Sequence, residues 1–238
     1  MIKIIPAAER HHASHGWLNS YFLFSFADYY AHDNLQWGPL RVFNDDYISG
    51  KSGFPEHPHS EMEIVTIVLE GAVAHQDSMG NKALVKAGEV QRMTTGTGVK
   101  HSETNESDEE LHLYQLWFLP NKKGLTPSYE QKTIDFLKEK NELIPLVSGQ
   151  KVLEDVVFIN SNSTIYYANL EDGKEIDFKT FPIRKGLLYV TSGELFVNGM
   201  QVQKNDQVRS ADVDAIRIKA AGDSSFILID LPGSEANY

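Results

Sequence analysis

Apolar residues gather along this chain in short runs, and within the runs they often alternate with polar ones. Gly, Asn, Asp and Pro separate the runs, which is strand spacing rather than helix spacing. Ile64–Leu69 is one compact apolar run, closed by Glu70-Gly71, and Leu111–Leu119 is another, ended by Pro120. Met79-Gly80-Asn81 and Val197-Asn198-Gly199 read as hairpin turns, because Gly and Asn tolerate the positive φ such turns demand. Gln131–Asn141 alone predicts a helix, with Ile134, Phe136 and Leu137 as its apolar stripe. The preceding loop, Gly124-Leu125-Thr126-Pro127, marks a boundary that divides the chain into residues 1–130 and 131–238.

The two halves repeat a strand–turn–strand unit. Ile67–Val73 can be laid over Tyr189–Leu195, with Gly71 on Gly193. Val85–Val90 matches Val202–Val208 after one extra residue, and both halves close on an apolar strand and a proline, at Pro120 and Pro232. Two tandem β-barrels in an all-β chain with few short helices are the expectation.

Composition narrows the function classes. With 41% hydrophobic and 23% charged residues over 238 positions, the chain reads as globular. No apolar run approaches the roughly 18 residues that a membrane span needs. Met1–Pro6 is too short an apolar stretch for a secretory signal, so the expected location is cytoplasmic. There is no cysteine, which excludes disulfides, thiolate ligands and cysteine nucleophiles. The net charge of −11 and the acidic run Asp108–Glu110 disfavour direct nucleic-acid binding.

The nine histidines all lie at or before His112, so histidine chemistry belongs to the first half. One cluster is Glu56-His57-Pro58-His59-Ser60-Glu61-Met62-Glu63. Strand residues two apart share a face, with Cα atoms ~6.6–6.8 Å apart. Imidazoles from such positions can converge on one ion at the ~2.0–2.1 Å typical of zinc–nitrogen bonds. A regular strand places His57, His59, Glu61 and Glu63 on one face, and Pro58 predicts an edge or an irregularity. The second cluster, Gly96–Asn105, puts Val99, His101, Glu103 and Asn105 on one face and Lys100, Ser102 and Thr104 on the other. A lone strand histidine is more often a surface or hydrogen-bonded residue. A His-x-His pair followed about forty residues later by His-x-Glu points instead to one metal ion.

The pattern Gly53…His57-x-His59…Glu63…Gly71, then Gly88…Gly96-x-Gly98-x-x-His101-x-x-x-Asn105, resembles the two cupin motifs. More closely, the chain is similar to the pirin family and its bacterial members with quercetin 2,3-dioxygenase activity. The stretches that carry this include Leu40–Asp46, His57-Pro58-His59, His75–Asn81, Gly96–Glu103 and Leu111–Gln115, dense in the first half and weak in the second. The resemblance implies a bicupin of two jelly-roll-type barrels, the N-terminal one bearing the metal and the C-terminal one lacking histidine ligands. Its ligands fall on His57, His59, His101 and Glu103. Many cupins take the carboxylate from the first motif, here Glu63; pirins take it two residues after the second-motif histidine, here Glu103, which is preferred. Glu63 then becomes a partner of the ligands or a buried ion-pair residue.

Other positions read more simply. His75 either contacts substrate or makes a structural hydrogen bond. His11, His12 and His15 read as surface or packing residues, and His112 as facing away from Leu111 and Leu113. Phe22, Phe24 and Phe26 read as core rather than as a substrate box, and Asn44-Asp45-Asp46 as a turn, with pocket polar groups as the other reading.

Three neutral imidazoles and a carboxylate suit Fe(II), the expected metal, and also accept Mn, Co, Ni, Cu or Zn; ligand type alone does not choose among them. The resemblance implies a dioxygenase that cleaves a flavonol such as quercetin with O₂ to a depside and carbon monoxide, Glu103 accepting the substrate's hydroxyl proton. It also implies an alternative, a metal-bearing regulatory or redox-sensing protein with protein partners. A non-redox cupin isomerase ranks third.

Overall fold

The computed structural model describes residues 1–150 and 153–233. The chain opens with β1 (Ile2–Ile5), a 3₁₀ turn at Ala7–Glu9, β2 (His11–Ser14) and β3 (Leu18–Phe22). There follow β4 (Leu40–Ile48), β5 (Ser52–His59), β6 (Glu63–Glu70), β7 (Ala72–Asp77), β8 (Lys82–Lys86) and β9 (Glu89–Thr94). Then come β10 (Val99–Asn105), β11 (Leu111–Phe118), β12 (Ser128–Thr133), β13 (Ile144–Ser148), β14 (Val157–Phe158) and β15 (Thr164–Leu170). The last strands are β16 (Glu175–Lys179), β17 (Arg184–Ser192), β18 (Glu194–Val197), β19 (Met200–Gln203), β20 (Gln207–Ala211), β21 (Ala215–Ala220) and β22 (Ser224–Pro232). Both expected hairpin turns form, with Gly80 at φ 94° and Asn198 and Gly199 at φ 48° and 82°. No helix among the described residues is long and apolar enough to cross a membrane.

Contacts divide the chain into two units. The histidine-bearing unit comprises Arg10–Ile134 and Val157–Ser161; the other comprises the described residues of Met1–Glu9, Asp135–Val156 and Asn162–Tyr238. The 130/131 division expected from sequence falls inside β12, and the loop at Gly124–Pro127 leads onward within the histidine-bearing unit.

In the histidine-bearing unit a seven-stranded antiparallel sheet, β12-β9-β6-β11-β4-β3-β2, packs on a four-stranded sheet, β5-β10-β7-β8. Leu18, Ile48, Val68, Leu111 and Leu113 of the large sheet meet Val73 and Val85 of the small one, all 7% exposed or less. Each fully buried side chain of this kind contributes roughly 1.5–3 kcal/mol. The other unit repeats the plan, with β20-β17-β22-β15 matching β9-β6-β11-β4 and β16-β21-β18-β19 matching β5-β10-β7-β8. The internal repeat read from sequence is therefore real. Where β5 and β10 carry histidines, β16 and β21 turn Ile176, Phe178, Ile216 and Ile218 into an apolar core. This jelly roll is filled rather than hollow.

The helix expected over Gln131–Asn141 does not form. Ser128–Thr133 pairs with β9 instead, from Ser128↔Thr94 to Thr133↔Glu89. Only one turn follows, in which Lys138 and Glu139 donate to the Asp135 carbonyl. Phe136 is fully buried while Leu137 is 38% exposed, so the apparent stripe is not one face. A short helix carries the full cost of nucleation, and an available strand edge outcompetes it.

Segment Val157–Ser161 returns to the histidine-bearing unit and is pinned there. Arg92 Nε donates to the Phe158 carbonyl at 2.7 Å, and the Phe158 N–H donates to Glu130 at 3.1 Å.

Candidate metal centre

Two adjacent strands build the site. β5 lies at the edge of the four-stranded sheet, as Pro58 predicted, and pairs with β10 with His57 opposite His101 and His59 opposite Val99. Between His101 and Glu103 the register shifts, a bulge that re-aims the side chains around it. Gly53 permits this crossing, because a Cβ there would lie 2.3 Å from the Glu103 carbonyl oxygen. On β10 the alternation follows the sequence reading: Val99, His101, Glu103 and Asn105 are buried and the residues between them are less so.

Ligand nitrogens of His57, His59 and His101 all lie within 4.8 Å of one another. The ring centroids are 4.7 Å apart for His57–His59, 4.5 Å for His57–His101 and 5.0 Å for His59–His101. His57 Nδ1 lies 2.8 Å from the Pro55 carbonyl, which can only accept, so Nδ1 carries a proton and donates it there. Burial, reinforced by the neighbouring imidazoles, lowers His59 to about 4 and His101 to about 3. Both rings are neutral at physiological pH, the form that ligates metal.

Among the described residues, His59 Nε2 and both nitrogens of His101 are buried with no hydrogen-bond partner. Such groups are rare in folded proteins, since each costs roughly 1–3 kcal/mol. A cation bound between the rings removes that cost, so the donor set fits a metal.

Glu103 adjoins this trio through His101. Its carboxylate falls within a second group spanning 4.8 Å, formed with His101 and His75. Gln91 Nε2 donates to Glu103 Oε1 at 2.6 Å and Gln115 Nε2 to Oε2 at 2.7 Å, with Thr66 at 3.3 Å. These donors hold the carboxylate's orientation. His75 is buried against Tyr129 and lies 3.2 Å from Asp77, itself fixed by Asn81 and the Met79 N–H.

Glu63 is elsewhere. The strand that carries His57 and His59 ends at His59, Glu61 turns the chain at φ 55°, and Glu63 begins β6 in the other sheet. The shared face expected for all four residues stops at His59. Glu63 is completely buried, its carboxyl pushed up by burial, and it accepts from Thr94 and Asn160.

A cavity of about 450 Å³ opens above His57, His59 and Glu103. Trp17, Phe22, Phe26, Phe54 and Trp117 give it aromatic walls, while Ser20, Asn44, Asp46 and Gln115 give it polar points. Asn44–Asp46 is not a turn but the middle of β4. Phe22 is buried and His15 exposed, as read from sequence, and both line the cavity together with Phe26. Phe24 is core, as expected. His11 and His12 stack on Tyr29 and Tyr21, and His112 bonds Asp45 at 2.7 Å, away from the cavity. The missed signal was period-two alternation through Asn44 and Asp46, masked by their turn-forming residue types.

Residues 6–118 match the model of the Pirin family, and residues 146–231 match that of the quercetinase C-terminal cupin domain. A quercetin 2,3-dioxygenase of Escherichia coli strain K12 is 43% identical over 234 residues, covering 98% of this chain and 99% of its own. A pirin-like protein of Caulobacter vibrioides is 38% identical over 92% of this chain and 94% of its own. The crystal structure of bacterial pirin YhhW from Escherichia coli in complex with nickel(II) superposes with a TM-score of 0.93 at 40% identity, covering 98% of this chain and all of that one. With two jelly rolls, a histidine cluster in the first and relatives matched end to end, this chain belongs to the pirin family.

Proposed function

We propose that His57, His59, His101 and Glu103 hold one divalent cation, and that the protein is a dioxygenase cleaving a flavonol such as quercetin with O₂ to a depside and carbon monoxide. One observation carries this reading. Three imidazoles converge beside an aromatic-walled cavity that His57 and His59 line, and His59 and His101 bury nitrogens with no hydrogen-bond partner among the described residues. The names of the relatives and the nickel complex of YhhW support it.

Fe(II) is the proposed resident metal; Mn, Co, Ni, Cu and Zn suit the same donors. When bound, the metal supplies Lewis acidity and, for a redox ion, access to O₂. The chain supplies the rest. Aromatic walls sandwich a flat ligand and exclude water, which strengthens every polar contact at the floor. Gln91 and Gln115 hold Glu103 in one orientation, placing a fixed carboxylate where it accepts the substrate's hydroxyl proton. Loss of that proton makes the ring electron-rich towards O₂.

The test is metal content, O₂ consumption and carbon monoxide release with quercetin, for wild type and His101→Ala. Metal-dependent release in wild type and none in the variant supports the proposal. A chain without metal sinks the site, and a metal-loaded chain without turnover favours a regulatory role.

A further inference from the structure

We infer that Asn44 and Asp46 form a subsite that reads hydroxyl groups on an aromatic ligand, apart from the oxygens expected at the metal. This deepens the proposed function and rests on it for the identity of the ligand, but not for the hydrogen-bond chemistry.

Asn44 is 3% exposed, lines the cavity, and its Oδ1 has no hydrogen-bond partner among the described residues. A buried carbonyl of this kind is costly unless a donor arrives. Asp46, two residues on along β4, is 2% exposed and lines the same cavity. It accepts from Ser20, which leaves further lone pairs for a ligand.

The placement is systematic. Asn44 stands opposite Gln115 in the β4–β11 register, and Gln115 donates to Glu103. A polar row therefore crosses the cavity floor from the metal ligands to Asp46, between walls that are aromatic. A flat ring fits the walls, and hydroxyl donors along its edge fit the row. Apolar walls alone discriminate weakly between ligands, whereas a buried acceptor left unpaired rejects an analogue lacking the hydroxyl.

Calorimetry on the full chain loaded with zinc, which blocks turnover, tests this with two ligand pairs. Quercetin and 3-hydroxyflavone share the metal-facing oxygens and differ in the other hydroxyls. Resorcinol and 1,3-dimethoxybenzene share the ring and its two oxygens, and the methyl caps of the second remove the hydroxyl donors. Wild type is expected to prefer the hydroxylated member by about tenfold or more, in keeping with sites built to bond a hydroxyl. Asn44→Leu should remove most of that preference while zinc uptake stays intact, and Asn44→Ser should restore part of it. A resorcinol preference lost in Asn44→Leu, with neither flavonoid bound, would uphold the subsite and overturn the flavonol. Equal binding within both pairs, no binding of any of the four, or a preference that survives Asn44→Leu overturns the subsite.

Discussion

The backbone N–H of Asn160 donates to Glu63 Oε2 at 3.0 Å, and its side-chain amide reaches Oε1 at 3.3 Å. Thr94 adds a hydroxyl at 3.1 Å. A carboxylate that cupin motifs offer as a ligand is thereby engaged as an anchor for the returning segment.

This division of labour separates the two glutamates. Glu63→Ala strands buried donors and should cost on the order of 1–3 kcal/mol of stability while metal occupancy holds. Glu103→Ala should lose metal. Elemental analysis and thermal melting of both variants decide it, and full occupancy in Glu103→Ala with loss in Glu63→Ala would reverse the proposed ligand set.

His75 lies within reach of both His101 and Glu103 and is oriented by Asp77. Groups that position metal ligands typically matter by roughly 10–100-fold in affinity. Asp77→Ala is accordingly expected to weaken nickel binding by about tenfold or more on that scale. An unchanged titration would reduce His75 to a packing residue.

Asp46 makes metal-free stability depend on pH. Burial, with lesser contributions from Asp45 and Glu103, raises its carboxyl to about 7. A raised folded-state value means that the folded chain holds this proton more tightly than the unfolded chain does. The stabilisation is complete below the unfolded value near 4 and is lost as pH rises towards 7. At the upper end the loss is on the order of 4 kcal/mol. Asp46→Asn should therefore raise the melting temperature of chelator-treated protein at pH 8 and lose that advantage by pH 4. A difference that does not vary with pH would remove Asp46 as the source.

Gly53 is a test of the bulge. Gly53→Ala drives a methyl against the Glu103 backbone, so β5 must move away from β10. Overpacking of this kind costs typically about 1–3 kcal/mol, and the shift should reach His57 and weaken nickel binding as well. Wild-type melting and affinity together would show that the strand yields without cost.

The repeat, the hairpins and the His-x-His and His-x-Glu spacings were legible because each is local. Residues two apart on a strand share a face whatever else the chain does. The fate of Glu63 was not, because one turn at Glu61 moves it to another sheet. Asn44 and Asp46 were obscured for a different reason. Their side chains favour turns in isolation, and pairing with β3 and β11 overrides that preference. The false helix at Gln131–Asn141 likewise yielded to a strand edge that its own sequence does not reveal.

The anchor at Glu63 also bears on the order of synthesis. Its donor Asn160 lies 97 residues later in the chain, beyond the whole histidine-bearing sheet pair. On the ribosome, at about 5–20 residues per second, the first jelly roll waits several seconds with that carboxyl lacking both Asn160 donors. Its completion is therefore tied to translation of residues that belong mostly to the other unit, and a transcript truncated after the last histidine encodes the proposed metal ligands without the segment that closes their unit.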